Sequence, residues 1–267
     1  MSIFPIKTNG LTLADRSAMF RYIIETFSMY YDAVDVVLEN SNDAMILSTT
    51  ENESYFNFCI HKDGDLQDCI ARNTPVFAEY DRMPLFYISP ASSYYGKEIG
   101  LEKFADDAFM FLEDETILQN YQPDDSIKIQ LCTDEELFIK IWGDSRKDPN
   151  DVYGVASEQT INGMRRFFKT PPFGLGCFAV IAYKNDIPAA NGISVYNNSF
   201  MLNIGLGVLP EFRGLGLGKA IMKFRCEKAR ELGIKAITLQ TESGSRNEKI
   251  FEKMGFVTKF NGIYYKG

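Results

Sequence analysis

Between positions 19 and 27 the apolar residues Met19, Phe20, Ile23, Ile24 and Phe27 recur at steps of one, three and four, the spacing of one helical face. Three short apolar runs follow, at 34–38, 44–47 and 55–60, separated by the turn-rich stretches ENSND and TTENES. They predict antiparallel strands joined by hairpins. After HKDGD the pattern predicts a helix over 66–80 broken at Pro75, a strand over 85–88 and a helix over 101–112. The segment NYQPDD then reads as a linker.

Beyond the linker the order of elements restarts. A strand is expected over 127–132, and Thr133 with Glu136 three later forms a capping box that opens a helix through Trp142. A helix over 158–168 precedes three strands, at 178–184, 191–196 and 200–208, whose turns are NDIP and NNS. The next helix, over 216–232, presents Met222, Cys226, Ala229 and Leu232 on one face and stops at Gly233. A strand over 236–241, a helix over 247–254 stopped by Gly255, and two short strands, VTKF and IYYK, complete the pattern. Ser245 with Glu248 is a second capping box. Both halves thus read helix, hairpin strands, helix, strand, helix. The expected fold class is α/β (α+β) in two domains, 1–125 and 126–267, related by an old duplication.

Charge sharpens this division. Residues 1–125 carry 22 acidic and 8 basic residues, a balance of −14, whereas residues 126–267 carry 14 acidic and 20 basic ones, a balance of +6. So acidic a first half argues against nucleic acid as the main ligand, because nucleic-acid binding leans on neutralising phosphates with Lys and Arg. A basic half beside an acidic one suits an anionic cofactor beside a cationic substrate; a solvated acidic face is the plainer alternative. No apolar run approaches the roughly 20 residues of a membrane span, and MSIFPIKTNG lacks the basic-then-apolar order of a secretion signal, so a cytoplasmic protein with no membrane partner is expected. The five cysteines are scattered and odd in number, and read as reduced thiols packed as small apolar groups. The lone His61, near Cys59 and Cys69, matches no standard metal spacing and reads as part of a surface turn.

The stretch EFRGLGLGK, at 211–219, is the strongest chemical signal. Unpartnered N–H groups at a helix start point at an anion, the helix dipole adds to the attraction, and glycines let the chain approach a phosphate. It is not a P-loop: Gly214 to Gly218 is one residue short, and Ala220 stands where the metal-binding hydroxyl belongs. Nor is it a dinucleotide fingerprint, since its glycines are spaced GxGxG after a hairpin series. R-x-x-G-x-G is met at Arg213, Gly216 and Gly218, after a strand ending in V-x-P at Val208 and Pro210. Here the chain resembles the GNAT superfamily of acyl-CoA-dependent N-acetyltransferases, whose pyrophosphate loop reads V-x-P-E-[YF]-R-G-x-G-[IL]-G. Downstream, IFEKMGF at 250–256 is similar to the family's "lYeklGF" helix.

The resemblance covers about 126–267 and implies a GNAT fold there, a mixed, mostly antiparallel sheet flanked by helices. It implies acetyl-CoA as co-substrate without a metal, a primary amine as acceptor, and a monomer or homodimer. By the same resemblance Leu206, Gly207 and Val208 would pair with the pantetheine arm. Arg213, Gly214, Leu215, Gly216, Leu217, Gly218 and Lys219 would hold the pyrophosphate, and Asn247 and Phe251 would line the cofactor. Gly205 and Gly207 suit either a bulge that splays their strand or a tight sheet corner.

The chain also departs from the family. Gln240 holds the usual place of the catalytic glutamate, so Glu242, two further along the same strand face, is the candidate base, or else a cap of the next helix. Phe251 stands where a tyrosine acid is common; Tyr264 or Tyr265 would substitute, or would pack in the sheet. Gly244 stands where the family often has an asparagine, and Asn247 lies three residues later. In the first half the corresponding stretch is KDGDLQD, whose aspartates repel a pyrophosphate, so that half is expected to be a degenerate GNAT-like or accessory domain that shapes or covers the acceptor site or only packs. SSYYGK at 92–97 would line an acceptor pocket or form a plain loop. Two other functions remain open: an acyl-CoA sensor without catalysis, and a tandem-GNAT aminoacyl transferase, against which the acidic half speaks.

Overall fold

The computed structural model describes residues 36–48, 52, 54, 57–147, 155–156, 158–169 and 176–267. The helix predicted around 19–27 lies outside them, as do positions 34, 35, 55 and 56 of the predicted strands. In chain order the first elements are β1 (Val36–Glu39), β2 (Asp43–Leu47), β3 (Phe58–His61), α1 (Leu66–Glu79), β4 (Leu85–Ile88) and β5 (Lys103–Leu112). Then come α2 (Thr116–Gln119), β6 (Ile127–Leu131), α3 (Glu135–Ser145), α4 (Glu158–Lys169), β7 (Gly176–Lys184), β8 (Ile187–Tyr196) and β9 (Phe200–Val208). The last are α5 (Leu217–Glu231), β10 (Ala236–Glu242), α6 (Arg246–Glu252) and β11 (Phe256–Lys266). The chain divides into two compact units: the first runs up to Phe109 and takes back Thr241–Ser243 and Thr258–Gly267, and the second comprises Met110–Gln240 with Gly244–Val257.

In the first unit β1, β2 and β3 form an antiparallel meander, α1 follows, and β4 returns parallel to β3. β11 then pairs antiparallel with β4, Ile263 opposite Ile88. Helix α1 closes one cluster through Cys69 and Phe77 against Met45, Leu47, Cys59 and Phe86. Pro75 sits inside α1 without breaking it, because the buried Leu66, Cys69, Asn73 and Phe77 anchor the helix on both sides of it. Residues 101–112, expected as a helix, form β5: Phe104, Ala105, Ala108 and Phe109 fit helical spacing, but Ala108 to Phe111 are buried in succession, as in a strand covered on both faces. VTKF and IYYK are one strand rather than two. Gly262 makes no turn; its missing Cβ leaves room for the Tyr87 ring to lie across β11.

His61 is buried, contrary to the surface turn expected for it, with Nδ1 bonded to Ser92 Oγ at 2.8 Å. It stands opposite Asp43 in the β2–β3 ladder but is no part of the cluster that Asp43 makes with Cys59 and Cys69. In that cluster the carboxylate is engaged by Arg72 and Asn73, and the two thiols face each other at 3.8 Å. All five cysteines are free thiols, and burial raises Cys177 to about 11 and Cys226 to about 12.

The second unit repeats the pairing order. β7, β8 and β9 form an antiparallel meander extended by β6, α5 follows, and β10 returns parallel to β9. Asn185 and Asp186, both at positive φ, make the tight turn of the β7–β8 hairpin. Asn191 bonds to the Phe138 carbonyl of α3 while the next residue, Gly192, faces Arg225 of α5. Since consecutive strand residues point to opposite faces, α3 and α5 cover opposite faces of this sheet.

Several helix ends follow the expected chemistry. Ser245 accepts from the Glu248 amide while Glu248 accepts from the Gly244 amide. Gly233, at φ +70°, ends α5, with its amide on Arg230 and that of Ile234 on Ala229. Others differ. Asp134 rather than Thr133 caps α3, its carboxylate accepting from the Leu137 amide and favoured by the helix dipole. Leu232 is 45% exposed, whereas Arg225, one step off the predicted face, is fully buried. Among the described residues no helix is long and apolar enough to cross a membrane.

Two outcomes are expected. Burial lowers the pKa of His61 from its ordinary 6.5, Asp43 opposing only in part, so the fold refuses a proton that the unfolded chain accepts. Stability is therefore complete above about pH 6.5 and falls as the pH drops below it. Urea midpoints across that range should decline in the parent and flatten in His61→Gln. Gly255, at φ +95°, has Asp114 O where a Cβ would go, and its own carbonyl accepts from the amides of Glu113 and Asp114. Gly255→Ala should cost about 3 kcal/mol in chemical denaturation, from the left-handed backbone and the displaced carbonyl.

Candidate anion cradle and strand bulge

The β8–β9 ladder breaks register. Asn191 faces Gly207, yet Ile193 faces Ile204, so β9 spends one residue more than β8 between these pairs. The surplus lies beside Gly205, whose φ of +60° no β-branched side chain tolerates. Of the two readings left open for the glycines, this is the bulge. On the other side, pairing with β10 runs from Phe200–Ala236 to Asn203–Leu239, while β9 continues through Leu206, Gly207 and Val208. The last three residues of β9 thus lie past its ladder with β10.

Both faces of the bulge are buttressed. On the α3 side, Cβ atoms at Gly205 and Gly207 would press on Trp142 and on Ser145 and Asn191, respectively. On the α5 side, Arg225 Nη2 donates to Ile193 O at 2.9 Å and to Ile204 O at 3.0 Å, and Nη1 lies 3.5 Å from Met222 Sδ. Burial lowers this guanidinium to about 9, which leaves it cationic at neutral pH.

Past β9 the chain makes a 3-10 turn at Pro210–Phe212 and reaches the glycines. Arg213 turns back and donates to Val208 O at 3.3 Å and to Ser145 O at 2.8 Å, which fastens the loop to the ends of β9 and α3. Two nitrogens of the guanidinium expected beside a phosphate are thus engaged by backbone carbonyls. Gly214 and Gly216 have φ of +81° and +87°, and a Cβ at Gly214 would meet nothing within 4 Å. Leu215 is exposed between them, Leu217 is buried, and Gly218 packs near Leu206 and Val208. Gly216 is the N-cap of α5 and offers no side chain to its amides, so those of Leu217, Gly218 and Lys219 are left for an anion. In the first unit the matching helix start is sealed: the Asp65 carboxylate accepts from the Gln67 and Asp68 amides.

The expected linker helps build this cradle. Tyr121 Oη donates to Gly216 O at 3.2 Å, its ring lies 4.7 Å beneath Lys219 Nζ, and Lys223 Nζ donates to the carbonyls of Gln119 and Tyr121. Sequence reasoning missed Tyr121, which sits in a segment that reads only as polar and turn-like. It missed Arg225 as well, although Ile221, Met222 and Ala229, three and four residues away, mark position 225 as buried.

Of the remaining candidates, Asn247 and Phe251 lie on α6 in the second unit, half-buried, and the Phe251 ring meets Phe256 edge-on at 5.9 Å. Glu242 ends β10, exposed, and belongs to the first unit; it caps nothing, since Ser245 caps α6. The next residue, Ser243, is tied to Asp106 and Asn261. Tyr264 is buried in the first unit, with ring centroids 5.3 Å from Phe58 and 4.8 Å from Tyr87, which favours its packing reading.

Residues 134–256 match the profile of the Acetyltransferase (GNAT) family. Among solved structures, the fold is similar to a GCN5-related N-acetyltransferase from Kribbella flavida, with a TM-score of 0.67 at 14% identity over 97% of this chain and 96% of that one. It is similar too to a tandem GNAT protein from the clavulanic acid biosynthesis pathway, with a TM-score of 0.64 at 12% identity over 99% and 97%. A functionally unknown conserved protein from Staphylococcus epidermidis matches with a TM-score of 0.67 at 15% identity over 89% and 96%.

Proposed function

We propose that this chain, whose residues 134–256 match the GNAT acetyltransferase profile, moves an acetyl group from acetyl-CoA to a primary amine by direct attack. The observation that carries the proposal is the uncapped start of α5 at Gly216 beside the unladdered end of β9. In this reading the amides of Leu217, Gly218 and Lys219 hold the pyrophosphate, and Leu206 to Val208 bind the pantetheine arm as an added strand. The co-substrate supplies the activated thioester. Anion charge is met by N–H groups and the helix dipole, with Lys219 at the rim.

The attacking amine must be neutral, yet a lysine-like amine has a pKa of about 10.4 in water. A base or a chain of waters must therefore take its proton. Phe251 has no proton to give, so the thiolate leaves unassisted; a thiol of pKa about 8.5 permits this at a loss of roughly a hundred- to ten-thousandfold in rate. The sealed helix start at Asp65 supports a first unit that does not take the cofactor, and its acidity suits a cationic acceptor such as a polyamine, an aminoglycoside or a lysine-rich peptide. Phe251 is also what favours a second reading, an acyl-CoA sensor without turnover.

Calorimetric titration with acetyl-CoA should give micromolar binding to the parent and none to Gly216→Glu, whose side chain would run into Tyr121 and the cradle. A parent that does not bind would sink both readings. Phe251→Tyr should keep or raise thiol release with an amine present; silence in parent and variant alike would leave the sensor. In a panel of acceptors, turnover confined to neutral or anionic amines would overturn the cationic assignment.

A further inference from the structure

Arg225 is among the largest fully buried side chains of the described residues, and its hydrogen-bond partners are two carbonyls and a thioether rather than a carboxylate. Burying an unpaired cation is costly, and a site that keeps one uses it for something an aliphatic residue would not do. Here the guanidinium lies under the register break: one nitrogen, Nη2, bonds the carbonyl on each strand that flanks it, Ile193 O of β8 and Ile204 O of β9. The next residue after Ile204 is Gly205, at φ +60°. Its seat requires Gly192, since a Cβ there would occupy the place of the same Nη2. The Nε of Arg225 is buried and has no acceptor among the described residues, so the side chain is held by the bulge and not by a network of its own.

We propose that Arg225 is a positioning residue for the acyl donor. By clamping the two carbonyls at the break it fixes the one-residue surplus of β9, and thereby the course of Leu206 to Val208, the segment that takes the extended pantetheine arm. This inference rests on the acyl-CoA reading above. It separates two parts of one site: the cradle at Gly216, built by the loop and Tyr121, and the strand slot, set by Arg225. The variant Arg225→Met keeps length and apolar bulk but donates no hydrogen bond, and Arg225→Lys keeps the charge with a single ammonium.

The test is calorimetric titration of the full chain with two probes, CoA and 3′-phospho-ADP, which is CoA without its pantetheine arm. Thermal melts check that each variant is folded. Arg225→Met should bind 3′-phospho-ADP as the parent does while its affinity for CoA falls about tenfold, the loss expected for a buried charge-assisted hydrogen bond. Arg225→Lys should regain part of that loss. If Arg225→Met does not fold, Gly192→Ala, which keeps the cation and only displaces it, should show the same selective loss. Unchanged CoA binding in a folded variant, or equal weakening of both probes, would overturn the positioning role. A parent that binds neither probe would instead overturn the acyl-CoA reading on which it stands.

Discussion

One extra residue in β9 determines the use of the second unit. A strand in perfect register offers its backbone equally to both neighbours, and nothing else can pair with it. By taking one residue more than β8, β9 turns at Gly205, and its ladder with β10 ends at Asn203. The requirement spreads outward from there. Gly192 must lack a side chain to seat Arg225, Gly207 must lack one to admit Ser145 and Asn191, and α3 and α5 must press from opposite faces. The loop then inherits its place, because Arg213 is anchored to Val208 and Ser145, the ends of the elements the bulge has arranged. What looks in sequence like a glycine-rich motif is the last step of a packing arrangement that begins in the sheet.

The two units show how small a chemical difference separates a capped helix start from an open one. Each runs through an antiparallel meander, a helix and a parallel strand. In one, the helix starts behind Asp65, whose carboxylate satisfies two amides from within. In the other it starts behind Gly216, which satisfies none with its side chain. A carboxylate and an incoming phosphate compete for the same N–H groups, so a side chain at this position decides whether the helix dipole is spent internally or offered outward.

The loop and the strands around it were legible because glycine, proline and arginine at fixed offsets carry local geometry. For the same reason Gly205 and Gly207 pointed to a bulge or a tight corner, and the register shift makes it a bulge. The helix reading of 101–112 failed because Phe104, Ala105, Ala108 and Phe109 fit the helical period, whereas the burial of both strand faces is decided by neighbours distant in sequence. VTKF and IYYK looked like two strands because the reason for the glycine between them, the ring of Tyr87, lies 175 positions before it. Tyr121 and Arg225 belong to the same class. One is a tyrosine in a polar segment and the other a cation on an apolar face, and only tertiary contacts give either of them a role.

The return of Thr258–Gly267 to the first unit bears on the order in which the chain is made. β4 is translated early, but its antiparallel partner β11 follows the whole of the second unit. Through that interval the nascent first unit carries an open strand edge of Leu85, Phe86, Tyr87 and Ile88, all of them buried once β11 arrives. Such an edge is a template for pairing with another chain. The polypeptide must therefore complete its second unit before it can close its first, and a ribosome that stalls late releases an incomplete first unit.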